Sequence, residues 1–156
     1  MLRTEAVVDL AAISGNVARL DAIAGPADVM AVVKADAYGH GLVPSARAAL
    51  DGGAAWLGVA IVGEALTLRE AGITAPVLAW LWTPDETATV AAALAADVDL
   101  SVSGRWALDV VAAAARNEGR PARIHLKIDT GLSRGGSYRH DWPDLVDAAA
   151  KAQAAG

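Results

Sequence analysis

The sequence predicts an α/β fold built on a parallel sheet, and three observations carry that reading. Apolar runs of strand length alternate with alanine-rich helical stretches along the whole chain, the pattern of successive βαβ units. The connections are short, and no linker or low-complexity segment interrupts the series. Glycine and proline fall at the joints, where they end or open elements. Two layouts satisfy this pattern, an open doubly wound sheet and a (β/α)8 TIM-type barrel. No Gly-x-Gly-x-x-Gly follows the first strand, which weakens the dinucleotide-binding version of the first. A barrel usually takes about 250 residues. With 156 residues and about five strand–helix units, this one is expected to be incomplete. Residues 1–156 would be its N-terminal portion, with the chain stopping where the next strand is due.

The elements follow in order. Asp9 is placed to cap a first helix, in which Leu10, Ile13, Val17 and Leu20 form one stripe. Residues 29–34 read as the first buried strand. Pro44 opens a helix that stops at Gly52 and Gly53. Residues 56–62 form a second strand, and residues 64–71 a helix closed by Gly72. Residues 76–82 form a third strand. Thr83, Pro84 and Glu86 then make a helix start, with Thr83 as cap, Pro84 in the first position and Glu86 closing a capping box. That helix is expected to reach about Ala96. Residues 98–102 give the fourth strand, residues 106–117 a helix ended by Gly119 and Pro121, and residues 123–129 the fifth strand. Asp141 is expected to cap a last helix running to the C-terminus.

Composition narrows the function classes. The net charge is −5, and lysines and arginines are scattered without a run, which argues against nucleic acid as a partner. There are no cysteines, which excludes disulfides and thiolate zinc sites. Acidic Glu5 and Asp9 interrupt residues 1–9, so they are not a signal peptide. The longest apolar stretch, residues 54–63, falls short of the about 20 residues a membrane span needs. A cytoplasmic protein is expected.

Two segments carry chemistry. Lys34-Ala35-Asp36-Ala37-Tyr38-Gly39-His40-Gly41 follows the first strand, and a lysine at that place leaves an apolar layer for a site instead of a solvated face. The fifth strand alternates: Ile124, Leu126 and Ile128 share one face, His125, Lys127 and Asp129 the other. After it comes the glycine-rich turn Asp129-Thr130-Gly131-Leu132-Ser133-Arg134-Gly135-Gly136. Both segments lie at the C-terminal ends of strands, where barrels of this kind place their active sites. A desolvated lysine among other cations is more readily neutral, and the neutral amine can form a Schiff base. The residues thus point to a Schiff-base lysine with cationic support for an anionic partner. Taken singly, His40 reads as a structural loop residue and His140 as a surface one, while His125 has no assigned role. The five tryptophans read as packing, and Glu64 and Glu70 as a solvated helix face.

The first segment resembles the pyridoxal-phosphate attachment motif of alanine racemases. The run from Lys127 to Gly136 is similar to that family's second signature, Lys-x-Asp-Thr-Gly-Met-x-Arg-x-Gly, with Leu132 in the methionine position, a volume-conserving exchange. The opening helix with Asp9, Leu10 and Asn16 also resembles the family, and the likeness runs from about Ala6 to the end. It implies that Lys34 binds pyridoxal 5'-phosphate as a Schiff base and acts as one of two catalytic bases, on the D-face of the substrate Cα. The cofactor is the electron sink. Tyr38 would hydrogen-bond the cofactor phosphate. Arg134 would contact the phenolic oxygen of the pyridine ring and lie near the substrate carboxylate. Lys127 would be carbamylated and hold Arg134 in place, since a buried lysine beside an arginine is costly as a cation. The family's second base is a tyrosine from a C-terminal β-domain of the other subunit of a homodimer. Its pyridine-nitrogen arginine and most of its phosphate cradle lie on later strands. These are expected outside residues 1–156, so the chain alone is expected to be nearly inactive. A non-catalytic cofactor-binding or structural fragment, or another barrel-type pyridoxal-phosphate enzyme, an amino-acid decarboxylase or other amino-acid racemase, is the alternative.

Overall fold

The computed structural model describes residues 4–155; the first three residues of the 1–9 stretch and Gly156, where the chain stops, lie outside them. Five parallel strands, β1 (Met30–Val32), β2 (Trp56–Ile61), β3 (Val77–Leu81), β4 (Asp99–Val102) and β5 (Ile124–Leu126), stand side by side in chain order. Register runs Ala31 to Leu57, Leu57 to Val77, Leu78 to Asp99 and Leu100 to Ile124. Among the described residues six right-handed helices precede, link and follow them, besides a short left-handed segment at Lys34–Gly39: α1 (Leu10–Ala24), α2 (Leu42–Asp51), α3 (Val62–Glu70), α4 (Thr87–Ala95), α5 (Arg105–Glu118) and α6 (Trp142–Ala154). A sheet in which each strand pairs with the next is the barrel layout rather than the doubly wound one, whose order reverses.

The side chains explain the two faces. Leu57, Val59, Val77, Ala79, Leu100 and Val102 point toward the helices and are fully buried. They meet Val62, Ala65 and Leu68 of α3, Val90 and Ala93 of α4, and Ala107 and Val111 of α5. The other face curves into the start of a lumen. Trp56 of β2 and His125 of β5 are three strands apart, yet their rings meet edge to face with centroids 5.6 Å apart. Trp80 lies over Gly58: a Cβ there would be 2.7 Å from the Trp80 ring and 3.1 Å from Met30 Sδ.

Several element ends differ from the sequence expectation. Asp9 does cap α1, accepting from the Ala12 N–H at 3.0 Å. Of the expected stripe, however, only Val17 is buried, while Leu10 and Leu20 stay exposed. The α1–α2 contact is made by close approach instead, since a Cβ on Gly52 would sit 2.4 Å from the Ser14 carbonyl oxygen. Thr83 does not cap a helix. Its hydroxyl donates to the Asp85 carboxylate at 2.6 Å and its N–H to Glu86 at 2.6 Å, which closes a local turn and delays α4 to Thr87. Asp141 precedes α6 without a side-chain capping bond, because its backbone is already helical, with φ −91° and ψ −13°. Among the described residues no helix is long and apolar enough to cross a membrane.

The N-terminal ends of β4 and β5 are tied by charge. Arg123 donates to Asp99 at 2.7 Å and to Asp97 at 2.6 Å, and His125 Nε2 lies 3.0 Å from the buried Asp99 carboxylate. Arg69 donates to the carbonyls of Ile73, Ala75, Ala96 and Asp97 at 2.8–2.9 Å. Conserving shape at this end serves stability, since barrels keep chemistry at the other end. The hydrogen bond from Arg123 holds the Asp97 carboxyl below the usual carboxylate range, helped by attraction to Arg123, Arg120 and Arg69 and opposed by desolvation.

A carboxyl whose pKa is depressed by folding contributes stability that is present above its unfolded value, about 4, and lost as pH falls through the folded value. Chemical denaturation from pH 6 to 2 is expected to show the midpoint dropping below about pH 4. In Arg123→Gln that drop is expected to be shallower; an unchanged slope would remove Asp97–Arg123 from the account.

Candidate active site at the C-terminal rim of the sheet

The first strand is shorter than expected. β1 ends at Val32; Val33 is buried and continues the ladder with an N–H to Gly58 O at 2.9 Å, and Lys34 is the first residue beyond it. The chain then does something the sequence does not announce. Ala35, Asp36, Ala37 and Tyr38 have φ of 50–54° and ψ of 38–49°, a full left-handed turn without a glycine. Each such residue costs about 1–2 kcal/mol relative to the right-handed form, so the surroundings must impose it.

They do so through five bonds. Ala37 N–H donates to Val33 O at 2.9 Å and Gly41 N–H to Asp36 O at 3.0 Å. The Asp36 carboxylate accepts from the Leu42 N–H at 2.6 Å, which also caps the start of α2. His40 Nδ1 lies 2.8 Å from Ala37 O, so His40 is the structural loop residue expected. From α3, the Glu64 carboxylate accepts the Ala35 N–H at 2.5 Å. The result brings two predicted site residues together: the half-buried Lys34 amine donates to the Tyr38 hydroxyl and lies 4.3 Å from the Tyr38 ring centre.

The second segment is built differently. β5 ends at Leu126 rather than Asp129; Lys127 N–H still donates to Val102 O at 2.9 Å, but the chain then folds back on itself. Ser137 N–H donates to Lys127 O and Asp129 N–H to Ser137 O, both at 2.8 Å. The Asp129 carboxylate accepts N–H groups from Gly131 at 2.8 Å and Ser133 at 3.0 Å. These backbone donors hold its pKa below the usual range. Gly136 permits the fold-back, because a Cβ there would sit 2.6 Å from Asp129 N. Lys127 Nζ donates to Gly135 O at 2.9 Å, beside Arg134 in the chain. Lys127 and Arg134 are both exposed, so the burial invoked for a Lys127 carbamate is not a property of this geometry. Among the described residues no hydrogen bond joins Arg134 or Lys127 to Lys34 or Tyr38. The two pairs share one rim, beyond the C-terminal ends of β1 and β5.

Glu64 corrects the sequence reading. It is not part of a solvated face: besides Ala35, it accepts the N–H groups of Ala60 at 2.9 Å and Ile61 at 3.3 Å. The available signal was its place in the third position of a helix, from which a glutamate can reach back to the preceding backbone. Nothing local signals the reach to Ala35. Glu70 is exposed, as expected.

With the geometry in hand, comparison with known proteins is specific. The chain matches the family model for the alanine racemase N-terminal domain over residues 8–156. It is 64% identical over 151 residues to an alanine racemase of Beutenbergia cavernae, covering 97% of this chain and 39% of that protein. It is 60% identical over 155 residues to one of Frankia casuarinae, covering 99% and 40%. The crystal structure of alanine racemase from D-cycloserine-producing Streptomyces lavendulae superposes with a TM-score of 0.92 at 56% identity, over 96% of this chain and 38% of that one. The chain therefore spans about two-fifths of the length of the relatives it matches.

The left-handed turn gives a test with an unusual sign. In an exposed right-handed helix position such as Ala18, replacement by glycine is expected to cost about 1 kcal/mol. At Ala35, where φ is 54°, glycine relieves backbone strain, and Ala35→Gly is expected to be neutral or stabilising by up to about 1 kcal/mol. Denaturant titration of the two variants decides it; equal losses would mean the turn is not left-handed.

Proposed function

The chain belongs to the alanine racemase N-terminal domain family, and on that premise we propose that it supplies the cofactor-lysine half of a pyridoxal-phosphate-dependent alanine racemase. The observation that supports this best is Lys34, bonded to Tyr38 at the rim and held there by a strained, over-determined turn. The donor set fits the cofactor. A primary amine suits its aldehyde, and the phenol beside it can donate to its phosphate. When bound, pyridoxal phosphate supplies an electron sink for the charge left at Cα.

The chain's own residues would then divide the work. Lys34 Nζ holds the cofactor and moves a proton to or from the D-face of Cα. Tyr38 Oη donates to the phosphate. The Arg134 guanidinium orients the phenolic oxygen and the substrate carboxylate, matching a planar fork to an anion. Lys127, as a carbamate, would accept from Arg134 and fix it. The second base, a tyrosine of a partner subunit's β-domain, and the pyridine-nitrogen arginine are proposed to lie outside these residues. On the same reading the whole protein is a cytoplasmic homodimer that interconverts L- and D-alanine for peptidoglycan, and residues 1–156 are the N-terminal part of its barrel domain.

Incubation with pyridoxal phosphate and reduction with borohydride is expected to add one phosphopyridoxyl group, mapped to Lys34 by peptide mass and absent in Lys34→Ala. Failure of the wild-type chain to take up the label would overturn the cofactor reading. Assayed alone, residues 1–156 are expected to racemise alanine at most feebly, since a two-base reaction loses several orders of magnitude without one base. A rate near that of a complete racemase would contradict the division of the site.

A further inference from the structure

We infer that Glu64 is a positioning residue for Lys34. Its carboxylate fixes the Lys34–Ala35 peptide at the point where the chain changes hand, and so sets the direction in which the lysine amine is presented. The inference rests on the reading of Lys34 as the cofactor-bearing lysine.

Glu64 is the third residue of α3, and one of its oxygens accepts from Ala60 N–H at 2.9 Å and Ile61 N–H at 3.3 Å. That is half of a capping box. The other half is missing, because Ile61 has no side-chain acceptor. The second oxygen is thus free to leave the helix, and it accepts the Ala35 N–H at 2.5 Å from 29 residues away. An ionised carboxylate is acceptor-only, and bonds to a charged acceptor are roughly twice as strong as neutral ones. One group therefore clamps the end of β2, the start of α3 and the first left-handed residue.

Ala35 is exposed, so water could satisfy its N–H. What Glu64 adds is direction. The Ala35 N–H belongs to the peptide whose carbonyl is that of Lys34, and it precedes the first residue of positive φ. Without this anchor the Lys34 side chain keeps its place in sequence but not its heading relative to β2.

The chemistry also predicts which substitution fails. Glutamine matches glutamate in shape but replaces one oxygen with an NH2 donor. Whichever way the amide turns, a donor faces either Ala35 N–H or the Ala60–Ile61 pair. A merely space-filling Glu64 would be rescued by glutamine; an acceptor clamp is not.

The experiment compares Glu64→Gln with wild type and with Glu70→Gln, a change at an exposed glutamate outside the site. Three quantities are read: amide hydrogen exchange at Ala35, the rate of borohydride-trapped attachment of pyridoxal phosphate to Lys34, and global stability. In the attachment the neutral amine nitrogen and the aldehyde carbon form a C=N bond, the aldehyde oxygen leaves as water with the two amine protons, and borohydride hydride then reduces that bond. Glu64→Gln is expected to fold, to exchange at Ala35 roughly tenfold faster and to be labelled roughly tenfold more slowly, as for loss of one charged hydrogen bond. Glu70→Gln should match wild type in both. Labelling and exchange unchanged in Glu64→Gln, or faster exchange with wild-type labelling, would overturn the inference. If wild type itself takes no label, the cofactor reading falls instead, and the exchange data still decide whether Glu64 holds the turn.

Discussion

The site depends on one backbone constraint: four consecutive non-glycine residues after β1 are left-handed. L-residues avoid this conformation because Cβ crowds the following carbonyl, and no single contact in the turn would repay the cost. The constraint is met by convergence. Val33 anchors the turn to β2, Asp36 ties it forward to α2, and Glu64 ties it sideways to α3. Each tie comes from a different element, so the turn cannot relax without loosening contacts to three neighbours. Strain that persists because its surroundings over-determine it is a mark of a functional position, and here it delivers Lys34 and Tyr38 to the same point.

The sheet makes that convergence possible. Parallel strands in chain order put every strand-to-helix junction on one rim, so the start of α3 falls beside the end of β1. The opposite end is closed by different means. Trp56, at the start of β2, meets His125 across the curve, and Asp97, Asp99, Arg69 and Arg123 knit the strand starts together. Packing and ion pairs stiffen the floor, while the rim carries amines, a phenol and a guanidinium on loops. Rigidity at one end and chemistry at the other is the division this architecture favours.

Much of the fold was legible in the sequence because its signals are local. Strand runs of Val, Leu and Ile, Asp9 as a cap, and Gly or Pro at joints each act within a few residues. The misreadings have physical causes of the same range. Thr83 and Glu86 have the right residues for a capping box, and Glu86 does accept the Thr83 N–H, but the Thr83 hydroxyl donates to Asp85 and the helix starts late. The alternation from Ile124 to Asp129 reads as one strand, yet the ladder to β4 stops at Lys127, and Asp129 turns its carboxylate on the loop ahead. Trp82 is buried and Trp142 packs on the core, whereas Trp106 stays exposed, and His125 found a buried acid, Asp99, that sits 26 residues earlier. Residue types told that these groups were placed; only the sheet told where.

The two lysine segments show why one half of the site was easier to read than the other. The loop after Lys127 is self-contained: Asp129 receives Gly131 and Ser133, Ser137 pairs back to Lys127 and Asp129, and Gly136 allows the close pass. Its geometry follows from β5 pairing with β4 and from spacing within a run of ten residues. The Lys34 turn is not self-contained. Its hand is held in part by a carboxylate 29 residues downstream, on a helix that must first dock on the sheet. A local motif can therefore specify the Lys127 loop, whereas the eight residues from Lys34 to Gly41 specify a lysine but not its heading. The hand of the turn is thus in part a tertiary property, set once β1, β2 and α3 have come together.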